Sequence, residues 1–81
     1  MREEMDFGTA LDRLKDGARV TREGWNGVGM WLMMASSVDA RTEFGTMSLS
    51  PFIIMKTVDS SFVPWTPSTL DLLSTDWVEV A

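Results

Sequence analysis

An 81-residue chain, 44% hydrophobic and 23% charged, is one small folded domain (residues 1–81) with no room for a second core. It has no Cys and no His, which excludes disulfide support, thiolate chemistry and the usual imidazole base or transition-metal ligand, and no cofactor is expected. A net charge of −5 argues against DNA or long RNA, whose affinity comes largely from neutralised phosphates. No apolar run suits a signal peptide or a membrane span, so a cytoplasmic location is expected.

In chain order, Asp6 can cap a first helix whose Phe7, Ala10, Leu11 and Leu14 fall on one apolar stripe, with Gly17 as the C′ stop. Ala18 to Arg22 reads as a short strand running into Gly24-Trp25-Asn26-Gly27. That tetrapeptide sets an indole face and a carboxamide between two glycines, which suits the reading of a nucleobase. Taken alone it is more often a tight turn whose Trp plugs the core.

Met30 to Ala35 is apolar on both faces of a strand: Met30, Leu32 and Met34 point one way, Trp31, Met33 and Ala35 the other. One helix covers one face of a small sheet, and a second copy of the chain is the simplest cover for the other, so a homo-oligomer is expected. The polar stretch Ser36 to Ser50 reads as a loop or an irregular hairpin. Phe52 to Val58 is the strongest strand, Asp59-Ser60-Ser61 a turn, and Phe62 to Trp65 the returning strand. Pro64 places that return at a sheet edge or a strand end. A second helix covers about Pro67 to Ser74, capped either by Thr66 with Pro67 at N1 or by Ser68 with Asp71 in a capping box. Asp76 to Val80 closes the chain as a strand. The sum is an α+β domain with a mainly antiparallel sheet and two short helices.

Catalytic material is thin. Asp59, Asp71, Asp76 and Glu79 are the C-terminal carboxylates, no spacing marks two of them as an acid–base pair, and no phosphate-binding glycine motif occurs. Binding material is richer. Trp31 belongs with the core or a subunit interface, and Trp77 stands open between core and site. Trp25 and Trp65 sit beside a turn or a proline, where a ring can face a cleft or fill the core. Arg19 and Arg22 precede the Trp25 turn. Lys56 stands among Ile and Met, where an ammonium needs a partner: an anionic ligand, or a carboxylate such as Asp71.

Several segments together resemble a known family. Met5-Asp6-Phe7-Gly8 with Ala10-Leu11 is followed by Gly24-Trp25-Asn26-Gly27 with Gly29-Met30, then by Pro51 to Thr57 and Val63-Pro64-Trp65. Ser68, Asp71, Leu73, Asp76 and Trp77 complete S-x-x-D-x-L-x-x-D-W. In this order they resemble the phage anti-Thoeris sponge family, the second Thoeris anti-defence type, over nearly all of the chain except Ser36 to Ser50. The resemblance implies a non-enzymatic homotetramer with ligand pockets between subunits. It would trap the cyclic ADP-ribose isomer, glycocyclic ADP-ribose, that a bacterial TIR-domain enzyme makes on infection. Some members also hold cyclic dinucleotides at a separate site.

Carried over, Trp25 would stack on or line the adenine pocket, and Asn26 would bond a base edge or ribose. Lys56 and Thr57 would meet the pyrophosphate or a ribose, though Thr57 is equally a sheet residue. Ser68, Thr69 and Asp71 match a family S-Q-T-D segment, with Asp71 serving ribose hydroxyls; Trp65 joins the binding set, while Phe7 and Trp77 stay in the core. Thr69 and Leu70 stand where Gln and Thr are usual, removing an amide and a hydroxyl. The alternatives are a module that grips a host protein through its aromatic surface, and a nucleotide-degrading enzyme using a carboxylate pair.

Overall fold

The computed structural model describes residues 3–25, 29–35, 38–42 and 45–80, the strands at 38–42 and 45–49 by their backbone. Helix α1 (Phe7–Lys15) starts where the Thr9 amide donates to Asp6 Oδ1 at 2.8 Å, filling a vacancy that every helix start leaves. Bonds from Thr9 hold the Asp6 carboxyl below its ordinary range. Gly17 ends the helix at φ 94°, a left-handed conformation that costs glycine nothing, and its amide donates to the Leu14 carbonyl.

The strands are β1 (Arg19–Arg22), β2 (Trp31–Ala35), β3 (Val38–Thr42), β4 (Gly45–Leu49), β5 (Phe52–Lys56), β6 (Phe62–Pro64) and β7 (Trp77–Val80), with helix α2 (Thr69–Leu73) before the last. Five of them form one sheet in the order β6-β5-β2-β1-β7, every neighbouring pair antiparallel. The α+β reading of the sequence therefore holds. Pro64, which has no amide to donate, lies on β6 at the sheet edge, as expected. Met5 forms a bridge with Trp77 through both backbone bonds, 2.8 and 3.1 Å, tying the N-terminal segment to β7.

Two expectations change. Of the two readings of Ser36 to Ser50, the hairpin holds and the loop does not, and the pairing is regular: β3 and β4 pair in five antiparallel steps from Val38↔Leu49 to Thr42↔Gly45, forming a separate two-stranded sheet. Val38 and Ala40 alternate with Asp39 and Arg41, and Met47 and Leu49 with Thr46 and Ser48, but two apolar positions per strand amid polar neighbours make a weak strand signal. β5 also stops at Lys56 rather than Val58, because Thr57 turns its amide and hydroxyl onto the Ser61 carbonyl at 2.8 and 3.2 Å.

Strand alternation sorts the sheet into two faces. Val20 pairs with Leu32 and Leu32 with Met55, and on this face Ala10 and Leu14 of α1 close over Val20, Leu32 and Trp77, all fully buried. Burying each of the Leu14, Val20 and Leu32 side chains is worth about 1.5–3 kcal/mol. The reverse face carries Trp31, Met33, Phe52 and Ile54, half-buried, beside the exposed Phe62, whose ring lies 5.9 Å from that of Trp31. The apolar pattern on both sides of β2 is thus real.

Candidate functional site

The site grows from the end of β1. Arg22 lies two residues beyond Val20, so it leaves the sheet on the core side and meets two carboxylates there. Its Nη1 donates to Asp71 Oδ1 at 3.0 Å and its Nε to Asp76 Oδ1 at 2.9 Å. All three side chains are largely buried: 17%, 13% and 25% of their surface is exposed, so water competes weakly for these bonds.

The turn that follows is locked to the same carboxylates. The Gly24 amide donates to Asp76 Oδ2 at 2.8 Å, and the Trp25 amide closes the turn on the Arg22 carbonyl at 3.2 Å. A Cβ on Gly24 would sit 2.8 Å from Asp76 Oδ2 and 3.2 Å from Arg22 Nη2, so glycine is there for close approach. The Trp25 indole N–H then reaches Asp71 Oδ1 at 3.3 Å.

Asp71 is held from its own helix as well. The Ser68 amide donates to Asp71 Oδ2 at 3.0 Å while the Asp71 amide donates to Ser68 Oγ at 3.1 Å, a reciprocal capping box at the start of α2. Of the two caps the sequence allowed, Ser68 is used. The Asp71 carbonyl in turn accepts the Trp77 indole N–H at 3.0 Å, so that the buried ring leaves no polar atom unpaired. Burial pushes the Asp71 carboxyl up, but the Ser68 amide and hydroxyl, Arg22 and Trp25 together outweigh it and hold it below the usual range. Asp76 is held down first by its bond to Arg22, against burial, then by the Gly24 amide. Arg22 is correspondingly raised, chiefly by Asp76. Both acids are therefore carboxylates at neutral pH and poor proton donors.

Against this polar knot lies a wall of rings. Trp25 meets Trp77 edge-on at 5.3 Å and Trp65 at 6.4 Å; Trp65 stands 6.0 Å from Trp77, and Phe7 lies 5.3 Å from Trp77 and 6.0 Å from Trp65. Such tilted and edge-to-face pairs suit the ring quadrupoles. Trp77 is fully buried, whereas Trp25 and Trp65 keep part of their surface exposed.

Of the residues singled out in the sequence, the fold brings together Trp25, Trp65, Ser68 and Asp71, with Thr69 exposed beside them at the start of α2. Lys56 is held elsewhere: its ammonium donates to the Gly29 carbonyl at 2.9 Å and the Thr57 carbonyl at 3.3 Å. Its partner is thus backbone, not Asp71. Thr57 is occupied elsewhere, its hydroxyl bonded to Asp59 and to the Ser61 carbonyl in the 57–61 turn. Asn26 and Gly27 lie outside the described residues.

The sequence named Arg22 only as a nearby cation, and Asp76 as one more carboxylate and a member of the resemblance pattern, without a site role. Their pairing spans 54 positions, so it leaves no local sign around either residue. Among the described residues no group of three or more acidic side chains is arranged to hold a metal ion.

Comparison with known proteins places these residues in a family context. The model of a family described as Tad2-like, Thoeris anti-defense 2-like domain, matches residues 5–80, which include every part of the site. A protein from Bacillus phage SP01 named Thoeris anti-defense 2 is 38% identical over 85 aligned residues, covering 95% of this chain and 96% of that protein.

Proposed function

The chain belongs to the Thoeris anti-defense 2-like family, and from that premise we propose that it is a phage anti-defence protein that binds a cyclic nucleotide immune signal and holds it intact. The ligand class is glycocyclic ADP-ribose, the product of a Thoeris TIR-domain enzyme, with cyclic dinucleotides as a second class. The carrying observation is two partly exposed indoles, Trp25 and Trp65, beside an ionised carboxylate at the start of α2. Flat rings supply stacking worth about 1–3 kcal/mol per base.

The donor arithmetic suits such a ligand. Asp71 has about four acceptor positions, of which Arg22, Trp25 and Ser68 take three, leaving one for a ribose hydroxyl. Lys56 has three ammonium protons, of which the Gly29 and Thr57 carbonyls take two, leaving one for a phosphate oxygen. Asn26 serves a base edge, Ser68 and Thr69 the ribose, and Thr57 a phosphate or ribose once its hydroxyl turns from Asp59. The working assembly is a homotetramer in the host cytoplasm. Two apolar surfaces support it: the reverse sheet face around Trp31, and α2, which exposes 75% of Leu70 and of Leu73. A trap of this kind works by stoichiometry and slow release.

The test is capture and release. The protein is mixed with the TIR product, freed of unbound ligand and heat-denatured, and the supernatant is analysed. Intact signal is expected; fragments would make the protein an enzyme, and no depletion would make it a protein-interaction module. A folded Trp25→Ala variant is expected to bind about tenfold or more weaker, the loss of one stacked ring. Undiminished capture by that variant would remove Trp25 from the site.

A further inference from the structure

The ligand chemistry proposed above makes no use of Asp76, yet that side chain touches the Trp25 turn at two points. One oxygen accepts the Gly24 amide at 2.8 Å, which fixes where the turn leaves β1. The other accepts Arg22 Nε at 2.9 Å, and the same guanidinium reaches Asp71 Oδ1, the atom on which the Trp25 indole N–H rests. The backbone adds a third link, from the Glu23 amide to the Asp76 carbonyl at 3.1 Å. Asp76 thus governs both the backbone entry to Trp25 and, through Arg22 and Asp71, the orientation of its ring. Both of its oxygens are held by donors at the Trp25 turn, Arg22 Nε and the Gly24 amide, so its side chain is aimed at that turn. The packing at Gly24, where a methyl group would lie 2.8 Å from Asp76 Oδ2, shows how closely the two are fitted.

We propose that Asp76 is the positioning residue of the Trp25 site: it sets the turn and the indole for the ligand without touching the ligand. This deepens the binding reading above and rests on it where ligand capture is concerned. A general contribution to stability would act on the whole domain alike, whereas positioning acts on Gly24 and Trp25 first. Trp31, on the reverse face of the sheet under the Arg19 guanidinium, is the internal reference.

The experiment uses Asp76→Asn in the full chain. The amide keeps the volume but replaces one acceptor oxygen by an N–H₂ group, so either Gly24 or Arg22 loses its partner. In ligand-free protein, nitrogen-edited NMR follows the Gly24 amide and the Trp25 and Trp31 indole N–H groups. The Gly24 amide is expected to exchange with solvent about tenfold or more faster and the Trp25 indole to shift, with the Trp31 indole unmoved. Wild-type behaviour at Gly24 and Trp25, or equal changes at Trp25 and Trp31, would overturn the proposal.

Glycocyclic ADP-ribose is then added. Capture is expected to weaken about tenfold in Asp76→Asn and to stay at the wild-type level in Glu79→Gln, an exposed carboxylate elsewhere on β7. Undiminished capture by a folded Asp76→Asn protein also overturns the proposal. Failure of the wild type to capture ligand defeats the binding reading alone, because the ligand-free spectra still decide whether Asp76 positions Trp25. Gly24→Ala breaks the same contact from the other side and carries the spectra if Asp76→Asn does not fold.

Discussion

Replacing Arg22 by Met keeps an unbranched chain of similar reach and removes the guanidinium that joins Asp71 to Asp76. The two bonds, 3.0 and 2.9 Å, are charge-assisted, a class worth about 1.5–3 kcal/mol each in net stability. The carboxylates left behind are 13% and 25% exposed, so water rehydrates each in part and the lower end of that range applies. The expected loss is about 3 kcal/mol, at the foot of the range for stripping one partner from a buried ion pair. Urea unfolding at one fixed protein concentration, followed by near-ultraviolet circular dichroism, reads it directly. With a denaturant slope of about 1 kcal/mol per molar, the midpoint falls by about 3 M. Arg22→Lys keeps the charge without the two-pronged geometry and should recover only part of the loss. A loss below about 1 kcal/mol for Arg22→Met would refute the account of this residue as the knot of the site.

Ser68→Ala removes the cap of α2 and one of the groups that hold Asp71; a loss of about 1 kcal/mol is expected in the same urea assay, with Asp71 titrating higher by NMR. Acid should unfold the domain through Asp71 and Asp76. Both are depressed in the fold, so their contribution is complete above the ordinary carboxylate value of 3.8 and is lost as pH falls from there through the lower value each holds in the folded state. A pH titration of the urea midpoint that is flat across this window would contradict that sign.

Local chemistry was legible and distant pairing was not. Asp6, the stripe from Phe7 to Leu14 and Gly17 mark both ends of α1 within a few residues, so sequence alone places it. Pro64 marks an edge strand for an equally local reason. The choice between Thr66 and Ser68 as cap was open because both are sound capping residues. Ser68 is favoured in the fold because its partner Asp71 is also drawn by Arg22 and Trp25, from 49 and 46 positions away. The strands at 38–42 and 45–49 escaped because each carries only two alternating apolar positions, Val38 and Ala40 or Met47 and Leu49, within a polar stretch. The aromatic part of the site could be read from Trp25 and Trp65 beside their turns. The Arg22–Asp76 link could not, since nothing near either residue in the chain records the other.

Three indoles, those of Trp25, Trp65 and Trp77, have centroids 5.3–6.4 Å apart at steep mutual angles. Electronic transitions of rings so close and so tilted couple, and coupled transitions rotate polarised light strongly where isolated indoles do so weakly. The domain therefore carries an optical signature of its own at the short-wavelength indole bands. That signature belongs to the arrangement rather than to any single ring, and it will distort helix and strand contents inferred from far-ultraviolet spectra. It will also fade when one tryptophan turns, even if every backbone hydrogen bond survives.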